Sequence, residues 1–115
     1  MDVIELKEET QLNNIFEDSN SLPMGALIFK HSTRCSISKM VLDRFRREWE
    51  LPANEMSVYY LDLIKYRSVS NTISEKFGII HESPQILVIR NGKCVYNASH
   101  NMISPRLIQQ EALND

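Results

Sequence analysis

Residues 26–40 read Ala26-Leu27-Ile28-Phe29-Lys30-His31-Ser32-Thr33-Arg34-Cys35-Ser36-Ile37-Ser38-Lys39-Met40. The four apolar residues at the start are what a strand buried on both faces requires. From Ser36 onward the apolar positions recur at helical spacing, so the polar residues between mark a strand-to-helix turn with Cys35 at the head of the helix. In that position the unpaired amides and the positive end of the helix dipole face the sulfur, which favours the thiolate, the form that reacts. Three places on stands Ser38 rather than a second cysteine, so the motif is Cys-x-x-Ser and cannot close a disulfide on itself.

On the N-terminal side, Val3-Ile4-Glu5-Leu6 has the character of a short strand, and Leu12, Ile15 and Phe16 make a helical stripe. Asp18-Ser19-Asn20-Ser21 with Pro23 is expected to turn the chain into the strand at Ala26. On the C-terminal side, Ile37, Met40, Val41, Phe45 and Trp49 are expected to share the buried face of one helix, with Lys39, Asp43, Arg46 and Arg47 pointing elsewhere and Pro52 ending it. A strand at Val58-Tyr59-Tyr60-Leu61 follows, then a helix marked by Val69, Ile73 and Phe77 and closed by Gly78. Asn91-Gly92 separates Ile86-Leu87-Val88-Ile89 from Lys93-Cys94-Val95-Tyr96, a strong hairpin signal. Ser104 and Pro105 then open a last helix with Leu107, Ile108 and Ala112 on its apolar face. The order β-α-β-α-β-α-β-β-α, with the cysteine after the second strand and a proline before the hairpin, spells an α/β thioredoxin-like fold. Its central mixed sheet should have about four to five strands flanked by helices.

At 115 residues the chain is expected to be one such domain, spanning residues 1–115. Thirteen basic and fifteen acidic residues leave a formal charge of −2, with no stripe suited to nucleic acid and no apolar run that would span a bilayer. The basic residues are nevertheless uneven: Arg34, Lys39, Arg44, Arg46 and Arg47 lie close together with Asp43 the one acid among them. Such a cluster is usually a solvated face, and it would also steer anionic thiols toward the cysteine. Two cysteines are too few for a secreted disulfide scaffold, and the acidic N-terminus lacks an apolar signal core, so a reducing cytoplasm is the expected location. No zinc-spaced pair exists, and a Cys-x₅-Arg phosphate loop would need arginine where Val41 stands.

Cys35 is therefore read as the nucleophile, and Cys94, in an alternating strand, as a half-buried structural residue. Ser38, in the first helical turn, either donates to the sulfur or satisfies a free amide. Arg34 would hold the thiolate or an anionic substrate, with Thr33 and Ser36 as supporting residues of the turn. In the thioredoxin fold the proline matching Pro84 is cis and packs across from the active sulfur, exposing the backbone of the preceding residue, here Ser83, to an extended substrate. Of the histidines, His31 reads as a strand-end residue and His100 as a loop residue, and neither these nor His81 abuts Cys35 in sequence.

With Thr33-Arg34-Cys35-Ser36-Ile37-Ser38, Glu82-Ser83-Pro84-Gln85, Asn91-Gly92-Lys93 and Ala98-Ser99-His100 in this order, the chain resembles the YtxJ-like bacilliredoxins, a monothiol thioredoxin-fold family. The family commonly carries proline, which has no N–H to donate, where this chain has Ser36; Ser36 instead leaves an amide and a hydroxyl near the sulfur. The resemblance implies a thiol–disulfide oxidoreductase that removes bacillithiol, or a similar small thiol, from bacillithiolated client proteins through Cys35. Bacillithiol would be a co-substrate, with no bound cofactor and no metal. It also marks His100, without giving it a role. Two other readings stay open: an iron–sulfur carrier like monothiol glutaredoxins, although Ser36 and Ile37 replace the Gly and Phe of their motif, and a non-catalytic peptide-binding module built around Pro84.

Overall fold

The computed structural model describes residues 2–113. Five strands, β1 (Val3–Glu5), β2 (Ala26–His31), β3 (Ser57–Asp62), β4 (Gln85–Arg90) and β5 (Lys93–Ser99), alternate with helices α1 (Leu12–Ser21), α2 (Ser36–Glu48), α3 (Arg67–Phe77) and α4 (Pro105–Leu113). The sheet order is β1-β3-β2-β4-β5. β1, β3 and β2 run parallel, β4 is antiparallel to β2, and β5 is antiparallel to β4. This is the α/β architecture expected, with β2 at the centre.

All six residues of β2 are buried because the strand is paired on both edges and covered on both faces. Leu27 and Phe29 enter a core with Val41, Leu42 and Phe45 of α2 and Ile108 and Ala112 of α4. Ala26 and Ile28 enter the opposite core with Leu12 and Ile15 of α1 and Val69 and Ile73 of α3. Strand alternation sends the next two residues to opposite sides as well: Lys30 toward α3 and His31 toward α2.

Three expectations need correction. Residues 18–21 do not form the turn; α1 continues through them to Ser21, with Ser19, Asn20 and Ser21 donating their side chains back to carbonyls of Phe16 and Glu17 in its last turns. On α2 the buried stripe is Ser38, Val41, Leu42 and Phe45, which leaves Ile37 59% and Met40 70% exposed. The helix also ends at Glu48, ahead of Trp49 and well before Pro52, and half-buried Trp49 still packs on Phe45 with ring centroids 4.9 Å apart.

The expected hairpin and cap are present, with Asn91 and Gly92 both at positive φ and Gly78 in the left-handed region after α3. Gly25, which launches β2, is the most constrained glycine. Its φ is +83°, and a Cβ there would lie 2.2 Å from the Ile89 carbonyl oxygen of β4. Gly25→Ala should therefore lower stability by about 2–3 kcal/mol in urea denaturation, through left-handed strain plus a backbone clash. A wild-type midpoint would refute the close approach.

Candidate active site

Cys35 is the N-cap of α2, with extended backbone (φ −110°, ψ 120°) and partial exposure. Its N–H donates to Ser32 O at 3.1 Å, closing a tight turn, and its carbonyl accepts from Lys39 N–H at 3.1 Å, opening the helix. Sequence order therefore translates directly into placement: the sulfur sits where strand ends and helix amides begin.

Ser38 points inward and is wholly buried. Its hydroxyl lies 2.7 Å from His31 Nδ1 and accepts the Ser32 N–H at 3.1 Å. The free amide it satisfies belongs to the turn, and its second partner is a histidine rather than the sulfur. The end of β2, the turn and the first helical turn are thereby joined by one side chain. His31 is also buried, and its ring packs on Tyr60 of β3 at 5.8 Å. Burial pushes the His31 pKa below the usual histidine value, with Arg46 adding to the fall and Asp62 and Asp43 opposing it. In the sequence alone His31 reads only as a strand-end residue. The missed signal was its alternation partner, since a residue two places past Phe29 must face α2.

Lys30 pairs with Gln85 across the β2–β4 ladder, which brings Ser83 and Pro84 beside the end of β2 and the Cys35 turn. Pro84 is buried and the Ser83–Pro84 peptide is cis, as the fold had led us to expect. Ser83 Oγ is enclosed and has no hydrogen-bond partner among the described residues. Pro84 O accepts the N–H of His100 at 3.0 Å. That gives His100 a place: its main chain, at φ 54°, steadies the proline from a 3₁₀ turn, His100–Met102.

Thr33, Arg34 and Ser36 are exposed around the sulfur. The neighbouring cations divide into two groups. Arg44 is not merely solvated, because its guanidinium donates to Ile103 O at 2.6 Å and ties α2 to the chain after β5. Lys39, Arg46 and Arg47 are exposed. A groove of about 350 Å³ runs along this side, lined by Ile37, Met40, Asp43, Arg44, Arg47 and Asn101 among others.

Cys94 is remote from this edge. It pairs with Ile89, which in turn pairs with Ala26 at the start of β2. About five residues of strand, roughly 16 Å, separate that level from the end where Cys35 lies. A disulfide needs Cα atoms within about 7 Å. The Cys94 thiol donates to Tyr96 O at 3.3 Å, and burial pushes its pKa up against two backbone hydrogen bonds that lower it. One sulfur stands at the candidate site and the other belongs to the sheet. Among the described residues no group of three or more His, Cys, Asp or Glu could hold a metal.

The His31–Ser38 link makes two expectations. Ser38→Ala strands a buried imidazole and the Ser32 amide and should cost about 1–3 kcal/mol in chemical denaturation. Because folding holds His31 below its ordinary value of 6.5, the unfolded chain binds protons that the folded chain refuses. Its contribution is complete above about pH 6.5 and is lost as the pH falls, so the wild-type midpoint should drop between about pH 7 and pH 5. A flat midpoint would contradict a buried neutral imidazole.

Comparison with known proteins agrees with this geometry. A solved structure described provisionally as an oxidoreductase with a thioredoxin fold is 30% identical, with a TM-score of 0.77 over 95% of this chain and 92% of that one. Thioredoxin from Malassezia sympodialis (Mala s 13) matches at 16% identity and a TM-score of 0.72, over 98% of this chain and 90% of that one. Oxidised thioredoxin from Plasmodium falciparum matches at 16% and 0.69, over 96% and 99%. These last two carry the fold alone. The family model for the monothiol bacilliredoxin BrxC matches residues 4–108, nearly the whole chain and every element of the site. With a thioredoxin-like sheet, one sulfur at the head of α2 and the other at the opposite end of the central strand, the chain belongs to the monothiol bacilliredoxin family, and its activity is that of a thiol–disulfide oxidoreductase.

Proposed function

We propose that the protein removes a small thiol, bacillithiol in the first instance, from mixed disulfides of client proteins. The observation that carries this reading is the isolation of Cys35: a site with one sulfur can accept a small thiol but cannot resolve a client bound to itself. The Cys35 thiolate attacks the small-thiol sulfur of the mixed disulfide. The new bond is Cys35–S–S–small thiol, the old disulfide breaks, and the electron pair leaves on the client sulfur as a thiolate. A second small-thiol molecule then attacks the outer sulfur, returning Cys35 as thiolate and departing as the symmetrical small-thiol disulfide. Each step needs a good nucleophile and a good leaving thiol.

Arg34, Lys39 and Arg47, beside the groove at Ile37 and Met40, supply an electropositive approach suited to the malate carboxylates of bacillithiol. Ser83, next to the Cys35 turn, is assigned the backbone contact to the client. A protein that works through a free thiol suits a reducing compartment, and we assign it to the cytoplasm on that ground.

Release of small thiol from a blocked client should fall to background in Cys35→Ser and stay near wild type in Cys94→Ser. The same client blocked with bacillithiol should be cleared faster than when blocked with glutathione, and that preference should shrink as salt rises from about 0.05 to 0.5 M. Wild-type rates in Cys35→Ser would overturn the proposal and favour the peptide-binding reading.

A further inference from the structure

Lys30 is fully buried, and among the described residues the hydrogen-bond partners of its ammonium are a carbonyl, a hydroxyl and an imidazole, with no carboxylate. Nζ lies 3.3 Å from Ser70 O and 3.0 Å from Ser74 Oγ, both on α3, and 3.3 Å from His81 Nδ1. His81 Nδ1 is also 3.4 Å from Ser70 Oγ. An ammonium only donates, so the imidazole nitrogen facing it must be unprotonated. A buried cation without a counter-charge is costly, and an apolar side chain of similar volume would extend the core around Ile28 and Ile73 at no such cost. Burial draws the Lys30 pKa down to about 8. Packing alone gives no reason for a lysine here.

The reason lies in what His81 belongs to. Residues 79–84 connect α3 to β4 and end at Ser83 and Pro84, beside the Cys35 turn. The connection is held from the hairpin side by four hydrogen bonds, one of them from Glu82 N–H to Gln85 Oε1 at 3.3 Å. Gln85 Nε2 donates to Ile80 O at 3.0 Å, Ser99 Oγ donates to Glu82 at 2.6 Å, and His100 N–H donates to Pro84 O at 3.0 Å. Lys30 holds it from the opposite side, through the core.

We propose that Lys30 and His81 are positioning residues for the exchange reaction at Cys35: their hydrogen bond fixes the segment that ends at Ser83 and Pro84, and protonation of His81 releases it. The inference rests on the exchange reading of Cys35. The charged groups facing His81 are Lys30 from β2, Arg67 from α3 and Glu82 beside it in the chain. Burial, Lys30 and Arg67, in that order, hold the imidazole below its usual pKa, while Glu82 opposes them. When a proton nevertheless binds, Nδ1 can no longer accept from Lys30, and two adjacent cations repel. The segment then loses its side-chain anchor to Lys30 and keeps the Ile79 N–H to Ser74 O bond on α3, the β2–β4 ladder that begins at Gln85 and the contacts on the hairpin side.

The test uses full-length wild type, Lys30→Met and His81→Gln, with a protein client blocked by a small thiol, from pH 5.5 to 8. For wild type, KM should rise several-fold on acidification, in step with the His81 imidazole titration followed by NMR. Lys30→Met should melt no lower than wild type, yet show the raised KM already at pH 7.5, with kcat moving less. Its KM should be flat across the acid range, and its His81 titration should move up toward an ordinary histidine value. His81→Gln, which keeps an acceptor at every pH, should hold the wild-type KM at pH 7.5 without the acid rise. Exchange with the same KM–pH profile in all three proteins would overturn the inference while leaving the reading of Cys35 intact. A wild type that performs no exchange would instead remove that reading, and the inference with it.

Discussion

Two-sided hydrogen bonding of β2, parallel to β3 and antiparallel to β4, leaves the central strand no freedom in register, and its carboxyl end becomes the fixed point of the molecule. A one-residue slip would exchange its faces, putting Phe29 where Ile28 packs and reversing Lys30 and His31. Gly25 sets where the strand begins, since the Ile89 carbonyl leaves no room for a side chain there. The strand-to-helix turn that follows therefore delivers Cys35 to one place, at the head of α2 and at the end of the sheet where Pro84 leads into β4.

Consecutive residues at that end of β2 hold two different walls of the site. His31, facing α2, binds Ser38 and through it the turn and the first turn of the helix. Lys30, facing α3, binds His81 and so the connection that leads to Ser83 and Pro84. Cys35 and the segment that leads to Pro84 are thus referenced to a single strand, on opposite faces, by polar groups buried in otherwise apolar layers. Buried polar side chains specify geometry at the expense of stability, and here both occur where geometry governs chemistry.

Much of this was legible in the chain because it is written in local chemistry. The apolar run at Ala26, the Asn91-Gly92 pair, Gly78 after Phe77 and Pro105 after Ser104 each impose a backbone conformation by themselves. The position of Cys35 followed from the same kind of signal. What could not be read depends on partners distant in sequence. On α2, two neighbouring stripes fit the helical period, and the one starting at Ile37 looked more apolar. The buried one contains Ser38, whose place in the core makes sense only once His31 is beside it. Lys30 and His81 are 51 residues apart, and nothing local announces that a lysine ending a strand will be enclosed by α3. His100 acts through its main chain, which its side-chain identity does not reveal.

The central claim is that one sulfur accepts the small thiol and has no partner within reach to pass it on. The most direct measurement is intact-protein mass spectrometry after a single turnover, with wild-type protein and an equimolar client blocked by bacillithiol, quenched in acid before free small thiol is added. Cys35 should carry one bacillithiol, the client should emerge with its thiol free, and Cys94 should remain a thiol. A covalent adduct between Cys35 and the client as the main species, or an intramolecular Cys35–Cys94 disulfide, would contradict it.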